Sequence, residues 1–150
     1  KLSNRHPQVL NYLGYSWLKY DINIDKAASM ILEAYEKEPN DGVIIDSLGW
    51  VYFKTGDYKN AIVYLEKASE LNPQNAVISD HLGDAYWLGG RKNEAIFQWK
   101  RALKQEEDNE DLNLKSVRNK IENGLDQSNI LTLKDEQLYQ NLQELENITN

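Results

Sequence analysis

The chain contains no cysteine, which excludes disulfides and thiolate zinc sites and leaves the redox compartment undetermined. It is short of positive charge: 17 Lys and Arg stand against 24 Asp and Glu, for a formal net charge of -7 and a pI near 4.9. Nucleic acid and anionic membrane surfaces are reached through clustered Lys and Arg, so this composition argues against both and makes a basic partner face easier to accommodate. No apolar run approaches the ~20 residues a membrane span needs. Strand-rich segments, a strained nucleophile turn and a glycine-rich phosphate loop are all missing. One all-α domain is the reading that remains for 150 residues.

What the chain does have is repetition. Asn11-Tyr12-Leu13-Gly14-Tyr15, Asp46-Ser47-Leu48-Gly49-Trp50 and Asp80-His81-Leu82-Gly83-Asp84 carry glycines spaced 35 and then 34 residues apart. Each Leu-Gly pair is followed by Ala27, Ala61 or Ala95 and then by Ala34, Ala68 or Ala102. Small residues at this spacing let helix backbones approach closely, and Leu13, Leu48 and Leu82 fill the space beside them. In the middle unit Val43, Ile44, Leu48, Val51 and Tyr52 form one helical stripe, and Ala61, Ile62, Leu65, Ala68 and Leu71 form a second after Lys54-Thr55-Gly56-Asp57. Gly56 and Gly90 hold equivalent turns, where positive φ is easily reached. Pro39 and Pro73 fall between the hairpins, where a residue without an N–H can precede a helix but not continue it.

This pattern resembles the tetratricopeptide repeat, a 34-residue helical hairpin. The middle unit supplies Leu48, Gly49, Tyr52, Ala61, Leu65, Ala68 and Pro73; the third supplies Leu82, Gly83, Tyr86, Ala95, Trp99 and Ala102, with Glu107 in place of the closing proline. The first supplies Leu13, Gly14, Trp17, Ala27, Ile31, Ala34 and Pro39, with one extra residue in the turn from Tyr20 to Asp25. The resemblance implies an all-α, right-handed α-solenoid of about three hairpins over 1–125, with repeats at about 7–41, 42–75 and 76–109 and a capping helix at about 110–124. It is similar, further, to the C-terminal repeats of long bacterial multi-repeat proteins, some of them adaptors of the cell envelope or periplasm. Asn4-Arg5-His6-Pro7 reads like the tail of an earlier repeat, so the chain is expected to be a C-terminal piece of a longer protein.

Leu114, Val117, Ile121 and Leu125 give the capping helix its apolar side, with Asn109 or Asp111 available as its cap and Lys115, Arg118, Asn119, Lys120 and Glu122 on its solvated side. The charged run Glu106-Glu107-Asp108 with Glu110-Asp111 reads as a solvated loop. Residues 126–150 form a polar joint, Asp126-Gln127-Ser128-Asn129, and a final amphipathic helix through Leu138, Leu142, Leu145 and Ile148, with Thr132 and Asp135 spaced as a capping box. Packing on the array, self-association and fraying are all open to that helix.

In such arrays the first helix of each hairpin lines a concave groove. The first repeat offers Gln8, Asn11, Tyr12, Tyr15 and Leu18, the second Val43, Asp46, Ser47, Trp50 and Phe53, and the third Val77, Asp80, His81, Asp84 and Trp87. The expected groove is aromatic with an acidic rim, suited to a peptide or helix of a partner protein that is apolar or carries Lys or Arg. Trp50 and Trp87 read as anchors, with packing between hairpins as the alternative, whereas Trp17 and Trp99 sit at inward positions. One use of arrays that this chain resembles is a two-carboxylate clamp for chaperone tails, which needs Lys, Asn, Asn, Lys and Arg where this chain has Asn11, Tyr15, Ser47, Val77 and His81. That use is rejected. Asp46, Asp80, Asp84 and His81 match no known metal loop, and Ser47 and His81 on adjacent hairpins stand about 10 Å apart, too far for a nucleophile and its base. No catalytic residue, cofactor or metal is assigned, and the expected function is non-enzymatic protein binding. The alternative is a structural end cap of a longer solenoid, or self-association through Leu138, Leu142 and Leu145.

Overall fold

A computed structural model describes residues 5–105, 112–127 and 129–149, with side chains through Leu145. The described residues form eight helices and no strand: α1 (Pro7–Lys19), α2 (Ile24–Lys37), α3 (Gly42–Lys54), α4 (Tyr58–Leu71), α5 (Ala76–Leu88), α6 (Lys92–Lys104), α7 (Leu114–Asn123) and α8 (Glu136–Thr149). None is long and apolar enough to cross a membrane.

Local chemistry sets the helix starts. Proline opens α1, where its missing N–H costs nothing. Asp41 accepts from the Val43 and Ile44 N–H groups at 2.9 and 3.2 Å, Asp57 from Asn60, and Asn75 from Ile78, each closing donors that the first helical turn leaves free. The hairpin turns of the second and third repeats use Gly56 and Gly90 at φ +86° and +88°. In the first repeat the extra residue is absorbed by Asp21 and Asn23, both left-handed, and the Lys54 ammonium pairs with Asp21 at 2.6 Å.

Helices pair within hairpins as α1 with α2, α3 with α4 and α5 with α6, and each hairpin stacks on the next through α2 with α3 and α4 with α5. A β-carbon on Gly49 would stand 2.8 Å from Leu65 Cγ, so the glycine is what allows α3 to lie against α4. The alanines Ala27, Ala34, Ala61, Ala68, Ala95 and Ala102 are all fully buried at the crossings, beside Ile31, Leu48, Leu65 and Trp99. Trp99 is enclosed, as its inward position implies, and Trp17 is half-buried against the same core.

Stacking makes equivalent residues unequal. Val9 and Leu13 of α1 are 55% and 42% exposed, while Ile44 and Leu48, at the same repeat positions of α3, are 1% and 0% exposed because α1 and α2 lie on them. At the other end α7 packs on α6 and buries Leu112 and Val117. Its cap is Asn113, which accepts from the Ser116 N–H at 3.0 Å. Asn109 and Asp111, expected in that role, lie outside the described residues, as do Glu106 to Glu110, Ser128 and the Ile148 side chain.

Beyond α7 the chain turns back along the array. Ile130 lies on Gly56, the Leu131 N–H donates to the Lys54 carbonyl at 2.8 Å, and the Lys134 N–H donates to the Asp25 carboxylate at 3.0 Å. Asp135, rather than Thr132, caps α8 through the Leu138 N–H, since α8 begins only at Glu136. The helix then packs on α2, burying Leu138 and Leu142, and the Tyr52 hydroxyl donates to the Leu142 carbonyl at 2.6 Å. Packing on the array is thus the outcome for this helix. Homotypic contact through Leu138, Leu142 and Leu145 is corrected: the first two are enclosed within the molecule and the third packs against the same core.

Candidate functional site

Because α1 touches α3 and α3 touches α5, the first helices of the three hairpins form one continuous face. Along its middle runs a file of rings. Trp50 stacks on Phe53 at 4.3 Å between centroids and on His81 at 3.9 Å, and the tilted Tyr15 ring lies 5.9 Å from His81. Trp50 and Phe53 sit one turn apart on α3, whereas Tyr15, Trp50 and His81 come together because α1, α3 and α5 lie side by side.

A polar chain holds the file in place. The Asp46 carboxylate meets His81 Nδ1 at 2.9 Å, and the Tyr15 hydroxyl meets Nε2 at 3.2 Å. Burial pulls the imidazole pKa down, but the charge and hydrogen bond of Asp46, with Asp80 and Asp84 behind it, raise it above its ordinary value. Next along α5, Lys120 of α7 donates to Asp80 at 2.6 Å and to Asp84 at 2.8 Å, and Asp84 also accepts the Trp99 indole N–H at 2.9 Å. Burial and the neighbouring Asp80 charge push Asp84 up to about 6 against the pull of Lys120. Lys120 is itself raised, since Asp84 and Asp80 outweigh its burial.

Several expectations change here. Asp46 and Asp84 are buried, and with Asp80 they hold His81 and Lys120, so they are engaged inside the molecule rather than forming an acidic rim. Lys120 is correspondingly inside and not on the solvated side of α7. Leu18 is fully buried in the core and does not line the groove. Ser47 is also buried, and its hydroxyl donates to the Val43 carbonyl at 3.3 Å. Trp87 lies against Trp99, with Gly124 directly on its ring.

The face is divided in two. At the C-terminal ends of α3 and α5, the return segment supplies Leu125, Asp126, Asn129 and Ile130 to a cavity of about 200 Å³ shared with Trp50, Phe53, Tyr58 and Leu88. Part of the aromatic surface expected to anchor a partner is therefore covered by the chain itself. At the N-terminal ends an open cavity of about 400 Å³ is lined by Asn11, Tyr12, Tyr15, Val43, Val77 and Ile78 among others, with Asp41 and Asn75 at the helix starts. Among the described residues no Lys or Arg lines it.

Sequence reasoning brought Asn11, Tyr15, Ser47 and Val77 to this face but missed Lys120 and the covering segment. One signal for Lys120 was present, since Val117 falls 34 residues after Gly83, which continues the period and makes α7 the first helix of an uncompleted fourth hairpin. Nothing in the spacing of residues 125–131 announces where they return.

A family profile for the tetratricopeptide repeat matches residues 47–75. A TPR repeat-containing protein of Pseudomonas aeruginosa is 35% identical over 60 residues, which is 40% of this chain and 10% of that protein. The chain thus spans about a tenth of the length of that relative. Among solved structures, the first TPR of Spaghetti (RPAP3) bound to the HSP90 peptide SRMEEVD superposes with a TM-score of 0.64 at 20% identity, over 77% of this chain and 87% of that one. The first TPR domain of human RPAP3 gives 0.64 at 19% identity over 94% and 95%. A crystal structure of the MamA protein gives 0.54 at 22% identity over 80% and 59%. At these identities the likeness is one of fold.

Proposed function

Since this is a tetratricopeptide-repeat protein, we propose that it is a non-enzymatic scaffold or adaptor that holds a segment of another protein in the open part of its groove. The observation that carries this reading is the cavity beside the ring file, apolar at Val43, Val77 and Ile78 and polar at Asn11 and Tyr15, which has the mixed lining of a recognition site. Tyr12, 71% exposed, and Val43, 45% exposed, supply apolar area at its edge. An acidic chaperone tail of the kind bound by the structural neighbour is a poor fit, because the described lining carries no cation and Asp41 stands beside it. Basic or uncharged segments suit it better.

The test is selection of a phage-displayed library of linear 12-residue peptides on the intact chain, with the variant Val43→Glu, Val77→Glu as counter-target. Both side chains reach the cavity without filling the core, so the variant keeps its helicity. Peptides retained by the wild type and lost by the variant support the groove; equal retention by both would falsify it.

A second reading is favoured by the unequal ends of the stack. One end is closed by α7 with Lys115, Arg118 and Asn119 outward, and the other exposes Val9, Tyr12 and Leu13. That asymmetry suits the terminal unit of a longer solenoid. Light scattering across a concentration series checks it: association that Leu13→Glu abolishes marks α1 as a stacking face, and a monomer throughout counts against it.

A further inference from the structure

We infer that the chain pairs with a second copy of itself through its outer side, the acidic face of α8 from each copy lying against the basic stripe of α4 and α6 of the other. The inference is independent of the groove, since it uses the second helices of the hairpins and no residue of the open cavity. The repeat supplies the first observation. Ser29, Val63 and Phe97 hold the same position in α2, α4 and α6, 34 residues apart. In the first hairpin that side is taken by α8, whose Gln137, Leu138 and Asn141 border a cavity with Ser29 and Leu32. In the second and third it is left open: Val63 is exposed, and Phe97 is 64% exposed.

The open stretch is basic in an acidic chain. Lys59 and Lys67 stand one turn to either side of Val63, and Lys100 and Lys104 follow Phe97, all of them exposed. The change along the stack is plain at one repeat position, where Leu32, buried beside Leu138, becomes Lys100 two repeats later. Among the described residues none of these four lysines is ion-paired, while Glu66 and Glu94 are held by Arg91 and Glu70 alone stands exposed at the end of α4.

The surface that complements this stretch is on the same molecule. The leucines of α8 face the array, and its outward side carries Glu136, Gln140 and Glu144, all exposed, with Tyr139 53% exposed on its flank. The helix has three Glu and no Lys or Arg. Its apolar face thus suits the apolar site on α2, and its acidic face suits the basic one on α4 and α6. Each copy holds both halves of the contact, so a two-fold axis makes both at once and closes the pair. Exposed Lys–Glu pairs contribute little singly; burial of Phe97 and Tyr139 supplies the affinity, and charge sets which helix meets which.

Sedimentation equilibrium on the intact chain over a concentration series is the test. The expected result is a dimer that weakens at least about tenfold with Phe97→Ser, and likewise when salt is raised from about 50 mM to about 500 mM. The double variant Lys100→Glu, Lys104→Glu and the double variant Glu136→Lys, Glu144→Lys are each expected to be monomeric alone and to pair when mixed, because each reversed face then meets a reversed face. All four positions are exposed, and circular dichroism establishes that the variants stay helical. A wild type that is monomeric throughout, or double variants that do not pair on mixing, overturns the inference. So does a dimer that the charge reversals leave intact and Leu13→Glu abolishes, which belongs to stacking through α1. Neither double variant alters the open cavity, so the groove function is judged separately by its own peptide selection.

Discussion

At the scale of single residues, the buried charges decide most. Lys120 lies between Asp80 and Asp84 with its side chain 8% exposed, so removing its ammonium strands carboxylates in the interior. Lys120→Met is expected to cost about 3 kcal/mol at pH 8, in the range for breaking a buried pair by deleting one partner. The native Asp84 is pushed up to about 6 from an ordinary 3.8, so the folded state binds protons more readily than the unfolded one in that window. Stability of this site rises as pH falls through about 6, and the Lys120→Met deficit should shrink with it. Urea titrations of both proteins at pH 5 and pH 8 check the sign. His81 runs the same way. Its folded pKa is raised above 6.5, so the stability it contributes is fully present below 6.5 and is lost as pH rises through the higher folded value. Thermal unfolding of His81→Gln should therefore lose less between pH 6 and pH 9 than the wild type does.

At the scale of elements, the same motif residue does different work in different hairpins. Leu13 and Leu48 both precede the motif glycine, yet Leu13 faces solvent on α1 while Leu48 is enclosed beneath the preceding hairpin. Leu13→Ala is expected to move stability by no more than about 0.5 kcal/mol, as at other exposed positions. Leu48→Ala should cost about 2–5 kcal/mol through lost transfer energy and the cavity left behind. Denaturant midpoints of the two variants are enough to tell. The repeat pattern could not separate them, because a pattern states which residue belongs at a position and not whether a neighbour lies on it. Helix starts show the same division. Asp41, Asp57 and Asn75 cap through side chains that reach N–H groups two or three residues on, and are legible locally. Asp135 displaced Thr132 as the cap of α8 because packing on α2 decided where that helix begins.

At the scale of the whole molecule, the return of α8 departs from a simple stack. In a linear array each hairpin depends on its neighbours alone. Here the Asp25 carboxylate receives the Lys134 N–H, and Leu138 and Leu142 are buried against the array, so residues 109 apart in sequence are coupled. Deleting residues 129–150 is expected to weaken hydrogen-exchange protection in α2 and in the N-terminal part of α4, with α6 little changed; uniform loss, or none, would contradict the coupling. The same deletion removes Asn129 and Ile130 from the cavity shared with Trp50 and Phe53, so tryptophan emission should shift to the red as water reaches that surface.

The helical hairpins, their number and order, and the side on which Asn11, Tyr15, Trp50 and His81 gather are legible in the residues alone, because each follows from a period of 34 or 35 residues and from where small side chains must fall. Which groups on that side stay available is settled by packing between distant segments. Asp46, Asp80 and Asp84 are taken by His81 and Lys120, and Trp50, Phe53 and Trp87 are shared with the returning chain, while Tyr12 and Val43 stay exposed beside the open cavity. The reason is physical: periodicity places a residue on a face through local geometry, but charge pairing and burial are settled between segments whose separation in sequence carries no period at all.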